Sequence, residues 1–403
     1  MLFSRFRQAA CTVATGAVAA VLAFGAAHAQ QQNVIRLTVS PGGYAQYMAS
    51  HAQTGGVHLM LANTPAGLAA RRLGRFDLGM GDGGQPFGDG NQAADGGGTR
   101  YPGDLQYHGG HVVRAAKEYL IYVNMTTNGT CDSIATCWGD PHRFLRDLGN
   151  SHFIHVVDQY VGAHEGDRYR PSRKVIEVTY PATSPYTGTT EYSNTDMQAI
   201  VYLVTTDLGL PSGYHAIYDI FLPPGQDECS SAGVCYSPDD TSTFAFCAYH
   251  SIVDLPGGPT LFTVEPYQDV SGCSVRPNTP NGQLVDSTNN VLSHETIETI
   301  TDPNVGGAFP TGWWNELDNG MFGQEIGDEC SFLLITPPPP AVPGQNSTVY
   351  FDPSNVTLNG RPYAIQPEYS NSAHGCATGP GHGNDGNGGW GNGNGNGWGN
   401  GNG

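Results

Sequence analysis

Hydrophobic positions along this chain fall into short β-branched and aromatic runs, broken by polar turns. Val34 to Val39 alternates apolar and polar side chains, the pattern of a half-buried strand. Tyr119 to Val123 is continuously apolar and reads as a buried strand. Ala199 to Val204, Tyr218 to Leu222, Phe244 to His250 and Thr260 to Val264 read as further strands, rich in β-branched and aromatic residues. His142 to Leu148 has a helical pattern. A second helix is expected from about Ser287 to Ile300, with Asp286 and Ser287 as caps and Asp302-Pro303 as its stop. The chain then turns irregular, through Pro337 to Pro340, before a short strand at Thr348 to Phe351. Strands and helices first, then a lone helix, then an irregular lobe, predict an α+β domain over residues 101–376.

The flanks differ in kind. Arg5 and Arg7 precede an apolar stretch from Ala9 to about Ala27, and Ala27-His28-Ala29 is a small-residue cleavage site, so residues 1–29 read as a secretory signal peptide. No later run approaches the roughly 18 apolar residues of a membrane span. Residues 30–100 form an N-terminal segment ending in a Gly- and Asp-rich linker (Gly74 to Gly98). Residues 377–403 form a Gly/Asn-rich tail with Trp390 and Trp398. Both low-complexity stretches are too poor in apolar residues to pack a core.

Cysteine usage fits export. Eight of nine cysteines lie beyond the leader, an even number suited to an oxidising compartment. The pairing expected is Cys131 with Cys137, Cys229 with Cys235, Cys247 with Cys273, and Cys330 with Cys376. Of 17 Lys+Arg and 36 Asp+Glu, only Arg5 and Arg7 leave with the leader, so the remainder carries a net charge of −21. That argues against nucleic acid or an anionic membrane surface as partner.

The densest chemistry lies in Ser293-His294-Glu295-Thr296-Ile297-Glu298. On a helix, His294 and Glu298 are one turn apart on one face. This is the geometry of the HExxH metallohydrolases with the second His replaced by Glu. Zinc needs three or four N, O or S ligands. Glu325, 27 residues beyond Glu298, is the expected third, with Asp328 as a further ligand or an acceptor for the His294 ring. Asp302 is an alternative. Glu295 takes the role of base, and His250 or Tyr249 that of oxyanion donor. The cofactor expected is Zn²⁺ or another divalent cation, and the fold a zincin-like mixed sheet with an active-site helix and a disulfide-closed C-terminal lobe. His108 and His111 flank two glycines and read as packing residues. His152 and His155 read as strand or loop. Trp313-Trp314 reads as core or as a surface for stacking on a sugar. No G-x-S-x-G, Walker loop or dinucleotide fingerprint is present.

Several stretches in order carry a resemblance: Tyr107-His108-Gly109-Gly110, Phe144 to Gly149, Cys247-Ala248-Tyr249-His250, Thr263 to Tyr267, Leu292 to Glu295, Thr301-Asp302-Pro303, Glu325 to Asp328 and Gln366 to Asn371. Together they resemble the EXORDIUM-like, or phosphate-induced, family of secreted proteins over residues 101–376. The resemblance implies an extracellular or periplasmic location. Two functions are then expected as alternatives: a secreted metal-dependent hydrolase, acting on peptides, or a non-catalytic protein that binds cell-wall polysaccharide and uses the same site as a structural clip.

Overall fold

The computed structural model describes residues 33–39, 42, 43, 45, 47, 56–72, 104–125, 131–162, 168–305, 310–315, 325–331, 351 and 353–380. The leader, the Gly-rich linker, the proline run, the tail beyond 380 and all but Phe351 of the expected last strand lie outside these residues.

Seven strands form one mixed sheet: β1 (Asn33–Thr38), β2 (Val57–Leu61), β3 (Ala116–Val123), β4 (Tyr169–Thr179), β5 (Gly213–Phe221), β6 (Phe246–Leu255) and β7 (Gly258–Glu265). Their spatial order is β1-β4-β3-β5-β7-β6-β2. Neighbours from β1 to β7 run parallel; β6 turns back on β7 as a hairpin, and β2 pairs antiparallel with β6. The central strands are buried on both faces, which is why they read as continuous apolar runs rather than as alternation. Strands β1 and β2 both precede residue 101, so the sheet begins inside the stretch expected to be an N-terminal segment and linker.

Helices cover both faces. The helix α1 (Pro141–Gly149) starts at Asp140, whose side chain accepts from the Arg143 amide, and Pro141 fits its first turn. The helix α2 (Asn194–Leu208) packs on one face, against Tyr119, Ile121, Ile220, Phe262 and Val264. The helix α3 (Gln283–Thr301) packs on the other, where Leu292, Ile297 and Ile300 meet Leu120, Ile217, Phe221 and Leu261.

Three local expectations change. Ala199 to Val204 is helical, within α2, not a strand. A short all-apolar run does not fix its own period; the ends decide. Ser193 and Asp196 form a reciprocal capping box, and Gly209 closes the helix with φ 59°. Secondly, α3 starts four residues earlier than expected, after Gly282. Asp286 instead accepts from the Asn281 and Ala364 amides, and Ser287 donates to the Gln283 carbonyl. Thirdly, His155 lies in a short 3-10 helix (Phe153–Val157), with His152 at its N-cap and Asp158 paired to the His155 ring.

All four expected disulfides form: Cys131–Cys137, Cys229–Cys235, Cys247–Cys273 and Cys330–Cys376. The C-terminal lobe contains two hairpins, Ser354–Leu358 with Arg361–Ile365 and Glu368–Ser370 with Gly375–Ala377. The first packs on α3, so the helix is enclosed between sheet and lobe and is buried from Asp286 to Thr301. No described helix is long and apolar enough to cross a membrane.

Candidate metal centre

Register builds the floor of the site. Leu120, Asp219, Thr263, His250 and His58 occupy one row across β3, β5, β7, β6 and β2. His58 and His250 are therefore cross-strand partners, with ring centroids 5.5 Å apart. Above them α3 brings His294, Glu295 and Glu298. The third wall is the segment from Glu325 to Asp328. It is held by the Gly327 carbonyl accepting from Gln366 Nε2 (2.8 Å) and the Ile326 carbonyl accepting from the Tyr369 amide (2.9 Å). The Cys330–Cys376 bridge anchors the same segment to the lobe.

Three imidazoles and three carboxylates alternate around a closed ring. His58 Nε2 lies 2.7 Å from Asp328 Oδ2, and Asp328 Oδ1 lies 3.8 Å from His294 Nε2. His294 Nε2 is 3.1 Å from Glu298 Oε1, and Glu298 Oε2 is 3.6 Å from His250 Nδ1. His250 Nε2 is 3.6 Å from Glu325 Oε2, and Glu325 Oε1 is 3.1 Å from His58 Nδ1, which closes the circuit. Glu295 stands beside the ring, its Oε2 3.2 Å from His250 Nδ1. None of these seven residues is more than 3% exposed.

Electrostatics follow from that burial. Burial alone pushes the His58 and His294 imidazoles down, but the Asp328 and Glu298 carboxylates outweigh it and hold both above their ordinary value. His250 falls well below, through burial and the neighbouring His58 and His294 rings. Burial and mutual repulsion push the Glu295 and Glu325 carboxyls well above the usual range. Glu265 and Glu368, just outside the ring, are pushed up in the same way.

The structure thus brings together His250, His294, Glu295, Glu298, Glu325 and Asp328, the residues singled out in the sequence. His58 was missed. Its one signal is a lone imidazole in the apolar run Val57 to Leu61. Two assignments change. Tyr249 cannot serve as an oxyanion donor here, because successive strand residues face opposite sides; its hydroxyl donates to Glu228 Oε1 on the other face of the sheet (2.9 Å). His250 Nε2 faces the Asp302 carbonyl at 3.2 Å. A carbonyl only accepts, so Nε2 carries the proton and Nδ1 offers its lone pair to the site. That suits a ligand or positioning residue, not an oxyanion donor. Asp302 is committed elsewhere: Oδ1 accepts from the Gly312 amide (2.6 Å) at the end of α3. His108 packs on Trp314 and His111 stacks on Tyr214, as expected of packing residues.

No family model matches this chain, and neither a curated protein nor a solved structure matches it. The likeness to the EXORDIUM-like family rests on the sequence motifs alone.

Proposed function

We propose that this chain is an exported, metal-dependent hydrolase of peptide bonds, with zinc or another divalent cation held by the His/carboxylate ring. The observation that carries the reading is the set of donor atoms left without hydrogen bonds. Oε1 of Glu295, Oε2 of Glu298 and Oε2 of Glu325 are buried and make none. Burying such groups is costly unless they are bonded or coordinate a metal. Three imidazoles, rather than the single one visible in the motif, also leave a bound cation less neutralised by carboxylates. Four disulfides support an oxidising compartment.

A bound dication would polarise a substrate carbonyl and ease deprotonation of water. The chain supplies the rest. Glu295 sits beside the ring without belonging to it, its Oε2 3.2 Å from His250 Nδ1, the place for a general base. It takes a proton from water and passes it to the leaving amine. His250, fixed by its Nε2–H to the Asp302 carbonyl, turns its Nδ1 lone pair toward the site as a ligand.

Elemental mass spectrometry of the purified protein and a peptide-cleavage screen test this together. Bound metal in the parent, loss of metal in His294→Ala, and loss of cleavage with metal retained in Glu295→Gln are the expected results. Undiminished cleavage by Glu295→Gln would sink its role as base. A second reading, saccharide binding with a structural metal, rests on Tyr107, 52% exposed beside Trp313 (ring centroids 5.3 Å apart). It predicts bound metal, no cleavage by the parent, and polysaccharide retention that Trp313→Ala abolishes.

A further inference from the structure

The ring offers more ligands than one ion can reach. Metal–ligand bonds to zinc are about 2.0–2.3 Å, so the ligands of one ion lie within roughly 4.6 Å of each other by that geometry. Among the described residues, two triads bring their donor atoms within 4.8 Å of one another: His58, Glu298 and Asp328; and His250, Glu298 and Glu325. Glu298 belongs to both. Its two oxygens diverge, Oε1 toward His294 and Oε2 toward His250. Glu325 is split likewise, between His58 and His250.

We propose that the centre holds two divalent cations bridged by the Glu298 carboxylate. One lies among His58, Asp328 and Glu298, with His294 beside it, and the other among His250, Glu325 and Glu298. His294 Nε2, 3.1 Å from Glu298 Oε1 and 3.8 Å from Asp328 Oδ1, adds an imidazole beside the carboxylates of the first triad. The inference rests on the metal reading above and deepens it.

The test is stoichiometry and coupling in the full-length protein. The protein is stripped with chelator, dialysed and titrated with Mn²⁺, then measured by elemental analysis and by electron paramagnetic resonance. Two equivalents with an exchange-coupled multiline spectrum are expected. His58→Ala and the near-isosteric Asp328→Asn should each bind one equivalent and give a six-line mononuclear spectrum. One equivalent in the parent overturns the two-ion centre while leaving the metal reading standing. No bound Mn²⁺ or Zn²⁺ overturns both. Two equivalents without exchange coupling overturn the Glu298 bridge. The parent measurements decide these outcomes even if a variant fails to fold.

Discussion

Glu228 tests the argument about buried carboxylates at a place with no ring around it. Its side chain is fully buried, Oε1 accepts from the Tyr249 hydroxyl at 2.9 Å, and Oε2 makes no hydrogen bond. Burial first, with the Asp196 carboxylate adding to it, pushes its pKa from 4.5 up to about 8. The folded state then holds a proton that the unfolded state releases between those two values. Unfolding stability therefore falls as pH rises across this window, by about 1.4 kcal/mol per unit where the two states differ by a full proton. Below pH 4.5 the carboxyl is protonated in both states and contributes no difference. Over the 3.5 units between 4.5 and 8 the loss approaches about 5 kcal/mol. Glu228→Gln keeps the acceptor for Tyr249 and removes the titration. Urea unfolding at pH 5 and pH 8.5 should show the variant gaining several kcal/mol on the parent at the higher pH. Equal differences at the two pH values would refute the reasoning, and with it the claim that this interior cannot hold an uncompensated carboxylate.

Other outcomes follow from the centre's supports. A Cβ on Gly327 would lie 2.5 Å from His294 Nδ1 and 2.9 Å from Glu298 Oε1, so Gly327→Ala must displace the ring; metal affinity should fall about 10–100-fold, as for other changes just outside a metal's ligands, and unchanged affinity by isothermal titration would count against the ring as ligand set. The Cys330–Cys376 bridge closes a sequence separation of 46 residues. Its replacement by two serines should cost about 4 kcal/mol on chain-entropy grounds and release metal as the Glu325 to Asp328 segment loosens; retention of metal would place that anchoring elsewhere.

Much of this was legible in the sequence, for identifiable reasons. The strand at Tyr119 to Val123 and the hairpin strands β6 and β7 announce themselves by β-branched and aromatic density. The site helix does so by His294 and Glu298 at helical spacing and by the Asp302-Pro303 stop, although its start lies four residues before the expected caps. A longer pattern also runs along it: Asp286, Asn290, His294, Glu298 and Asp302 recur every four residues. Asp286 and Asn290 accept from the Ala364 and Gln366 amides of the lobe, the next two enter the ring, and Asp302 ends the helix. What stayed hidden depends on long-range pairing. Strand β2 pairs antiparallel with β6, but 192 positions of sequence separate His58 from His250, and nothing local says that the two meet. The period of Ala199 to Val204 is likewise not fixed locally, because every side of that run is buried and only its caps decide it.

The place of His58, ahead of the Gly-rich stretch, makes removal of the N-terminal segment a test of the centre. Without residues 30–72 the sheet would lose both edge strands and the ring would lose an imidazole. Strand β2 is held by more than its ladder to β6, since Leu59, Met60 and Leu61 are almost fully buried. Each such side chain contributes roughly 1.5–3 kcal/mol, so together they retain the strand by several kcal/mol even where the chain is cut beyond it. A nick in the Gly-rich stretch 74–98 should therefore leave β2 in place. Limited proteolysis followed by native mass spectrometry should find the N-terminal fragment co-purifying with the core and the full metal content retained. A chain that begins after residue 100 should instead bind less metal and unfold at lower temperature. Full metal content in that truncated chain would remove His58 from the ligand set and reduce the centre to residues of α3, β6 and the Glu325 to Asp328 segment.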